Sequence, residues 1–193
     1  ASAQALLQEQ SDALRQRLGS LIFSESADRD FAESVTQAIV EHPSTPTLAV
    51  AESCTGGLIA TMITDVPGVS AWFQQAWVTY SNASKTELLG VDPALIQNYG
   101  AVSEEVARAM AEGARRRAGA DIGLATTGIA GPGGATETKP VGTVHIAMAH
   151  AEGTEHRLLN LPFNRKRNRI VSAWSTLDLV RHWLASSDVI THT

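Results

Sequence analysis

The sequence predicts an α/β domain with a mixed sheet and helices on both faces, preceded by an N-terminal helical extension. Three observations carry that reading. Helix-period and strand-like segments alternate along most of the chain, two strand-like segments then follow one another, and an amphipathic helix closes the sequence. Hydrophobic residues make up 44% of the 193 positions, enough for a full core without covalent staples.

Residues 2–18 are polar and rich in Ala, Leu and Gln, with Leu6, Leu7, Leu14 and Leu18 at roughly helical spacing. So thin an apolar face does not hold a helix alone, and this one is expected to pack on the rest of the chain or on a second subunit. Phe31, Val35, Ile39 and Val40 mark a second helix, ended before Pro43 and Pro46. Residues 47–51 read as a short buried strand, and 58–64 as a helix stopped by Pro67-Gly68. Trp77-Val78-Thr79-Tyr80 reads as a strand, with 81–85 as a polar turn behind it.

Ser103-Glu104-Glu105 suits a helix start, because the hydroxyl caps and the acids oppose the dipole. That helix runs to about Ala118, where Arg115–Arg117 complement the other end. Residues 122–126 form a strand entering a glycine-rich loop. Residues 143–149 and 158–163 read as two strands paired through Glu152-Gly153-Thr154, and 170–184 as the closing helix. With no internal repeat or low-complexity linker, the expected organisation is a helical extension at 1–20 and one domain at 21–193.

Composition excludes several classes. A net charge of -5 argues against general nucleic-acid binding, which needs a basic face. No apolar run approaches the ~20 residues needed to span a bilayer. The start of the chain lacks a basic segment followed by an apolar core, so no signal peptide is expected. Cys54 is the only cysteine, which excludes an internal disulfide and suits a reducing, cytoplasmic setting. The histidines, among them His145, His150 and His192, show no metal-ligand spacing, so no metal is expected.

Four stretches carry chemistry. In Glu52-Ser53-Cys54-Thr55-Gly56-Gly57 a strand turns through glycines into a helix, offering backbone N–H groups and a helix dipole to an anion. On these residues alone Ser53 serves equally as a helix cap or as a reactive hydroxyl, and Cys54 reads as a buried structural thiol. In Tyr80-Ser81-Asn82-Ala83-Ser84-Lys85 a lysine with a lowered pKa can take a proton from a serine, and a phenol beside it can relay that proton. The alternative is a solvated Lys85 and a core Tyr80. The glycines of Thr127-Gly128-Ile129-Ala130-Gly131-Pro132-Gly133-Gly134 suit a loop wrapping a ligand with backbone amides, though without P-loop or dinucleotide spacing. Arg165-Lys166-Arg167-Asn168-Arg169 is a solvated charge run, or the source of an arginine for a phosphate.

Taken in order, AESCTGG, VTYSNASKTELLGV, YGAVSEEVA, TTGIAGPGG and KPVGTV closely resemble the C-terminal domain of CinA, known also as the stand-alone enzyme PncC. The resemblance covers roughly Leu21 to the end of the chain. It implies a three-layer α/β/α sandwich, a homo-oligomer, and hydrolysis of nicotinamide mononucleotide (NMN) to nicotinic acid mononucleotide and ammonia without a cofactor. It implies Ser53 as nucleophile, with Tyr80 and Lys85 as proton acceptor and relay. Substrate binding would then fall to Glu52, Thr55, Gly56 and Gly57 on the first turn. Ser81, Thr127, Gly128, Gly131 and Arg167 would complete it, and N–H groups at 55–57 or 127–128 would hold the oxyanion.

The chain departs from the family pattern at two places. Gly131-Pro132-Gly133-Gly134 lacks the family's aspartate, and 163–171 keeps only Phe163, Arg167 and Ile170 in kind, with Arg165-Lys166 where the family has Gly-Asp. The altered segment leaves a nucleotide-binding module without turnover as one alternative. The helix at 2–18 leaves an oligomerising module as another.

Overall fold

The computed structural model describes residues 2–187; His192 lies outside them. Strands β1 (Leu48–Glu52), β2 (Phe73–Val78), β3 (Ile122–Gly128), β4 (Thr143–His150) and β5 (Gly153–Asn160) form one sheet in the order β2-β1-β3-β4-β5. The first three run parallel, and β4 and β5 are antiparallel to their neighbours. Helices α2 (Phe31–Glu41), α3 (Leu58–Thr64) and α7 (Arg165–Ser187) cover one face. Helix α6 (Glu104–Ala118), flanked by α4 (Asn82–Leu89) and α5 (Pro93–Tyr99), covers the other. This is the mixed α/β/α sandwich that the alternation of segments predicts.

The period-2 alternation of the strands decides which helices each face accepts. Leu48, Val50, Leu124, Ile146 and Met148 point to α2, α3 and α7 and fill that core with branched side chains. Their neighbours Ala49, Ala51, Ala125, Ala147 and Ala149 point to α6. The small residues let α6 lie close: a Cβ on Gly123 would stand 2.2 Å from the Ala111 carbonyl oxygen. Each large aliphatic side chain fully buried on the first face contributes about 1.5–3 kcal/mol.

Helix ends follow local chemistry. Asp30 and Glu33 form a reciprocal capping box on α2, and the Ser103 hydroxyl accepts from Val106 N–H at the start of α6. Asp92 caps α5 with Pro93 in its first turn, a start signal that the segment reading passed over.

Several expectations are corrected. Helix α1 (Ala3–Leu18) buries none of its residues and meets the following segment through the Arg15–Glu25 ion pair, so its apolar positions gain little cover from its own chain. Strand β2 begins at Phe73 and β5 at Gly153, earlier than the apolar residues suggest, because both are edge strands with polar, solvent-facing positions. The polar residues 82–85 are the first turn of α4 and not a loop, with Ser81 as its cap. Helix α7 begins at Arg165, where Asn164 Oδ1 accepts from Arg167 N–H, so the basic run is its first turn. Among the described residues no helix is long and apolar enough to cross a membrane.

Candidate active site

Strands β1 and β3 lie side by side, and their outgoing connections leave in opposite directions, to β2 and to β4. A crevice opens at their carboxyl ends for that reason. There a cavity of about 200 Å³ is lined by Ser53 and Cys54 after β1, Tyr80 and Lys85 after β2, and Thr127 and Gly128 at the end of β3. Ala101 and Val102 form one wall, and Arg165 reaches in from α7.

Lys85 is the most unusual residue of the site. Its side chain is 1% exposed, and its Nζ lies 3.2 Å from Ser53 Oγ and 2.7 Å from the Thr79 carbonyl oxygen. Burial pushes its pKa below the ordinary lysine value, and the Cys54 thiol nearby acts weakly in the opposite sense. The Thr79 carbonyl takes one N–H and so fixes the amine. In its neutral form Lys85 has a lone pair for the Ser53 proton. The solvated-lysine alternative is thereby corrected, as is the reading of Tyr80 as a core aromatic: Tyr80 is 61% exposed.

Tyr80 and Lys85 both line the cavity, but no hydrogen bond joins them. The Tyr80 hydroxyl instead accepts from an Arg165 Nη2 at 3.3 Å, at the solvent side. Cys54 lines the cavity with its thiol pushed up to about 11 by burial, so it stays protonated and unreactive, as a structural thiol should.

The first turn is built differently from the expectation. Glu52 is fully buried and faces α3, where its carboxylate accepts from Gly57 N–H at 2.9 Å, Ile59 N–H at 3.1 Å and Ala60 N–H at 2.9 Å. It caps a helix with both oxygens engaged, and it is not among the residues lining the cavity. Gly56 N–H donates to the Ser53 carbonyl, so neither glycine N–H is free for an oxyanion. Thr55 bonds Thr126 through its hydroxyl, and its carbonyl accepts two N–H groups of Arg169. Gly56 and Gly57 are needed for the turn itself, at φ 62° and 90°.

The remaining candidates divide. Thr127 and Gly128 line the cavity, and the Thr127 hydroxyl donates to the Ala101 carbonyl. Gly131 offers its carbonyl to Arg165 Nη1 at 2.8 Å. Ser81 is spent on capping α4. Arg167 does not line the cavity: its guanidinium lies 4.5 Å over the Phe163 ring, and Arg165 occupies the position toward the site instead. Motif matching selects Arg167 because it aligns with a family arginine; the helical start at Arg165 decides otherwise. Asn82, Ala101 and Val102 also line the cavity; they lie inside the quoted motifs, but no site role is assigned to them there. Lys139 Nζ holds that wall by donating to the Tyr99 and Val102 carbonyls. Among the described residues no cluster of His, Cys, Asp or Glu has the geometry of a metal site.

A mixed α/β/α sandwich with a buried serine–lysine contact at its switch point defines the class. Residues 28–184 match the family described as the CinA C-terminal domain, and the chain belongs to that family. It is 45% identical over 181 residues to a CinA-like protein of Geotalea uraniireducens, covering 94% of this chain and 42% of that one. It is 47% identical over 178 residues to a CinA-like protein of Geobacter sp. (strain M21), covering 92% and 42%. The chain therefore spans less than half the length of the curated relatives it matches. A solved competence/damage inducible protein from Agrobacterium tumefaciens superposes with a TM-score of 0.75 at 36% identity, over 81% of this chain and 98% of that one. A CinA superfamily protein from Escherichia coli does so with a TM-score of 0.72 at 28% identity, over 84% and 96%.

Proposed function

We propose that this domain is an amidohydrolase that converts NMN to nicotinic acid mononucleotide and ammonia through a serine nucleophile. The observation that carries the reading is the buried contact between Lys85 Nζ and Ser53 Oγ inside the cavity.

Neutral Lys85 takes the Ser53 proton as Oγ attacks the carboxamide carbon. The carbonyl oxygen becomes an oxyanion, for which the backbone N–H groups at Thr127 and Gly128, which line the cavity, are the candidate donors. As the tetrahedral intermediate collapses, the C–N bond breaks and the Lys85 ammonium gives its proton to the departing nitrogen, which leaves as ammonia. Water then adds to the Ser53 ester with Lys85 again as base. The acid is released and the serine regenerated. Tyr80, bonded to Arg165, stands outside this proton path at the rim.

The test is to incubate the purified protein with NMN and measure ammonia and nicotinic acid mononucleotide. Equal amounts of both products, formed catalytically, support the reading. Tight NMN binding with no release of ammonia would instead favour a binding module.

A further inference from the structure

We infer that Arg165 selects for a substrate with an anionic group remote from the reacting amide, so that it is a specificity-determining residue of the cavity. The inference rests on the amidohydrolase reading of that cavity and adds to it the residue that reads the phosphate.

The charge balance of the site is the first observation. The protein carries a net charge of -5, yet the cavity is lined by the Arg165 guanidinium and by no carboxylate, and Lys85 acts there as a neutral base. Glu52, the acid nearest in sequence, is turned into the start of α3. A lining of this sign attracts an anion whatever the charge of the whole molecule.

The second observation is the state of Arg165. Its guanidinium donates only to neutral oxygens, the Gly131 carbonyl and the Tyr80 hydroxyl, and among the described residues it has no carboxylate partner. Its position in the first turn of α7 also runs against the helix dipole, where a cation lowers helix stability. A planar donor fork held this way, beside an exposed tyrosine hydroxyl, suits bidentate capture of a phosphate.

Size supplies the third. A cavity of about 200 Å³ holds the pyridine ring and its carboxamide but not a whole mononucleotide. With the carboxamide at Ser53, the ribose phosphate must leave through the rim, where Tyr80 and Arg165 are exposed.

The experiment compares the full protein with Arg165→Ala on NMN and on nicotinamide riboside, which has the same ring and sugar without the phosphate. Loss of a charge-assisted phosphate contact should raise KM for NMN roughly 10- to 100-fold, with kcat within about threefold. The riboside parameters should not move, and Arg165→Lys should restore part of the NMN affinity. An unchanged KM for NMN, or equal losses on both substrates, overturns the inference, because a merely structural arginine behaves in that second way. If the wild-type protein turns over neither compound, the amidohydrolase reading fails, and calorimetry with ribose 5-phosphate and ribose decides the inference separately. Preference for the phosphate that disappears in Arg165→Ala upholds it, and no preference in the wild type refutes it.

Discussion

Lys85 Nζ stands 3.2 Å from Ser53 Oγ, in a place so enclosed that the lysine is 1% exposed. Three segments make this contact. The turn after β1 presents the serine, α4 presents the lysine, and the chain leaving β2 supplies the Thr79 carbonyl that orients the amine. Replacing Lys85 by Met should remove nearly all turnover of NMN, a loss of at least ~10³-fold in kcat, while leaving a methylene stem to fill the space. Steady-state ammonia release measures it.

The same burial gives the reaction a pH signature. An ammonium cannot accept the serine proton, and Lys85 is lowered from the ordinary value of 10.5. kcat/KM should therefore rise with pH along a limb whose midpoint lies below 10.5. Stability moves in the same direction: between the folded and the unfolded pKa of Lys85 the unfolded chain binds more protons, so the unfolding free energy rises with pH. Urea unfolding of the wild type across this window should show a rise that Lys85→Met lacks.

Glu52 should behave as a structural residue. Its removal leaves the N–H groups of Gly57, Ile59 and Ala60 without their acceptor at the buried start of α3. Glu52→Ala should cost about 2–4 kcal/mol, read as a lower urea midpoint at unchanged slope. A stable Glu52→Ala protein with a raised KM would restore it as a substrate ligand.

A second pH effect lies away from the site. His145 Nδ1 and His156 Nε2 are 3.0 Å apart with stacked rings, and His156 Nδ1 is 3.3 Å from Glu104 Oε2. Burial lowers both histidines, and for His156 it outweighs the opposing pull of Glu104. Below the ordinary value of 6.5 the unfolded chain takes up protons that the folded one refuses, so stability falls as pH drops through that region. Replacing His145 and His156 together by Gln should flatten the acid side of a stability curve followed by circular dichroism.

The strands buried on both faces and helix α6 were legible because their buried runs are continuous or their caps are local. Leu48–Glu52 and Glu104–Ala118 fall within a residue of the expectation. The edge strands were not, since Gln74 and Gln75 in β2, and Glu155 and Arg157 in β5, face solvent and hide the period. In the site, the motifs mark Ser53, Tyr80, Lys85, Thr127 and Gly128, all of which the fold brings to one cavity. They do not reveal direction. Glu52 precedes the serine and points to the other side, as alternation along a strand requires. Arg165 and Arg167 are two positions apart on a helix, so only one of them can face the cavity.

The central claim is that Ser53 attacks the amide. Ammonia release from NMN by Ser53→Ala, set beside the wild type at matched folding and NMN affinity, tests it most directly. The account predicts that the substitution lowers kcat at least ~10³-fold, leaving NMN bound and unreacted. A Ser53→Ala protein that releases ammonia at the wild-type rate would contradict it.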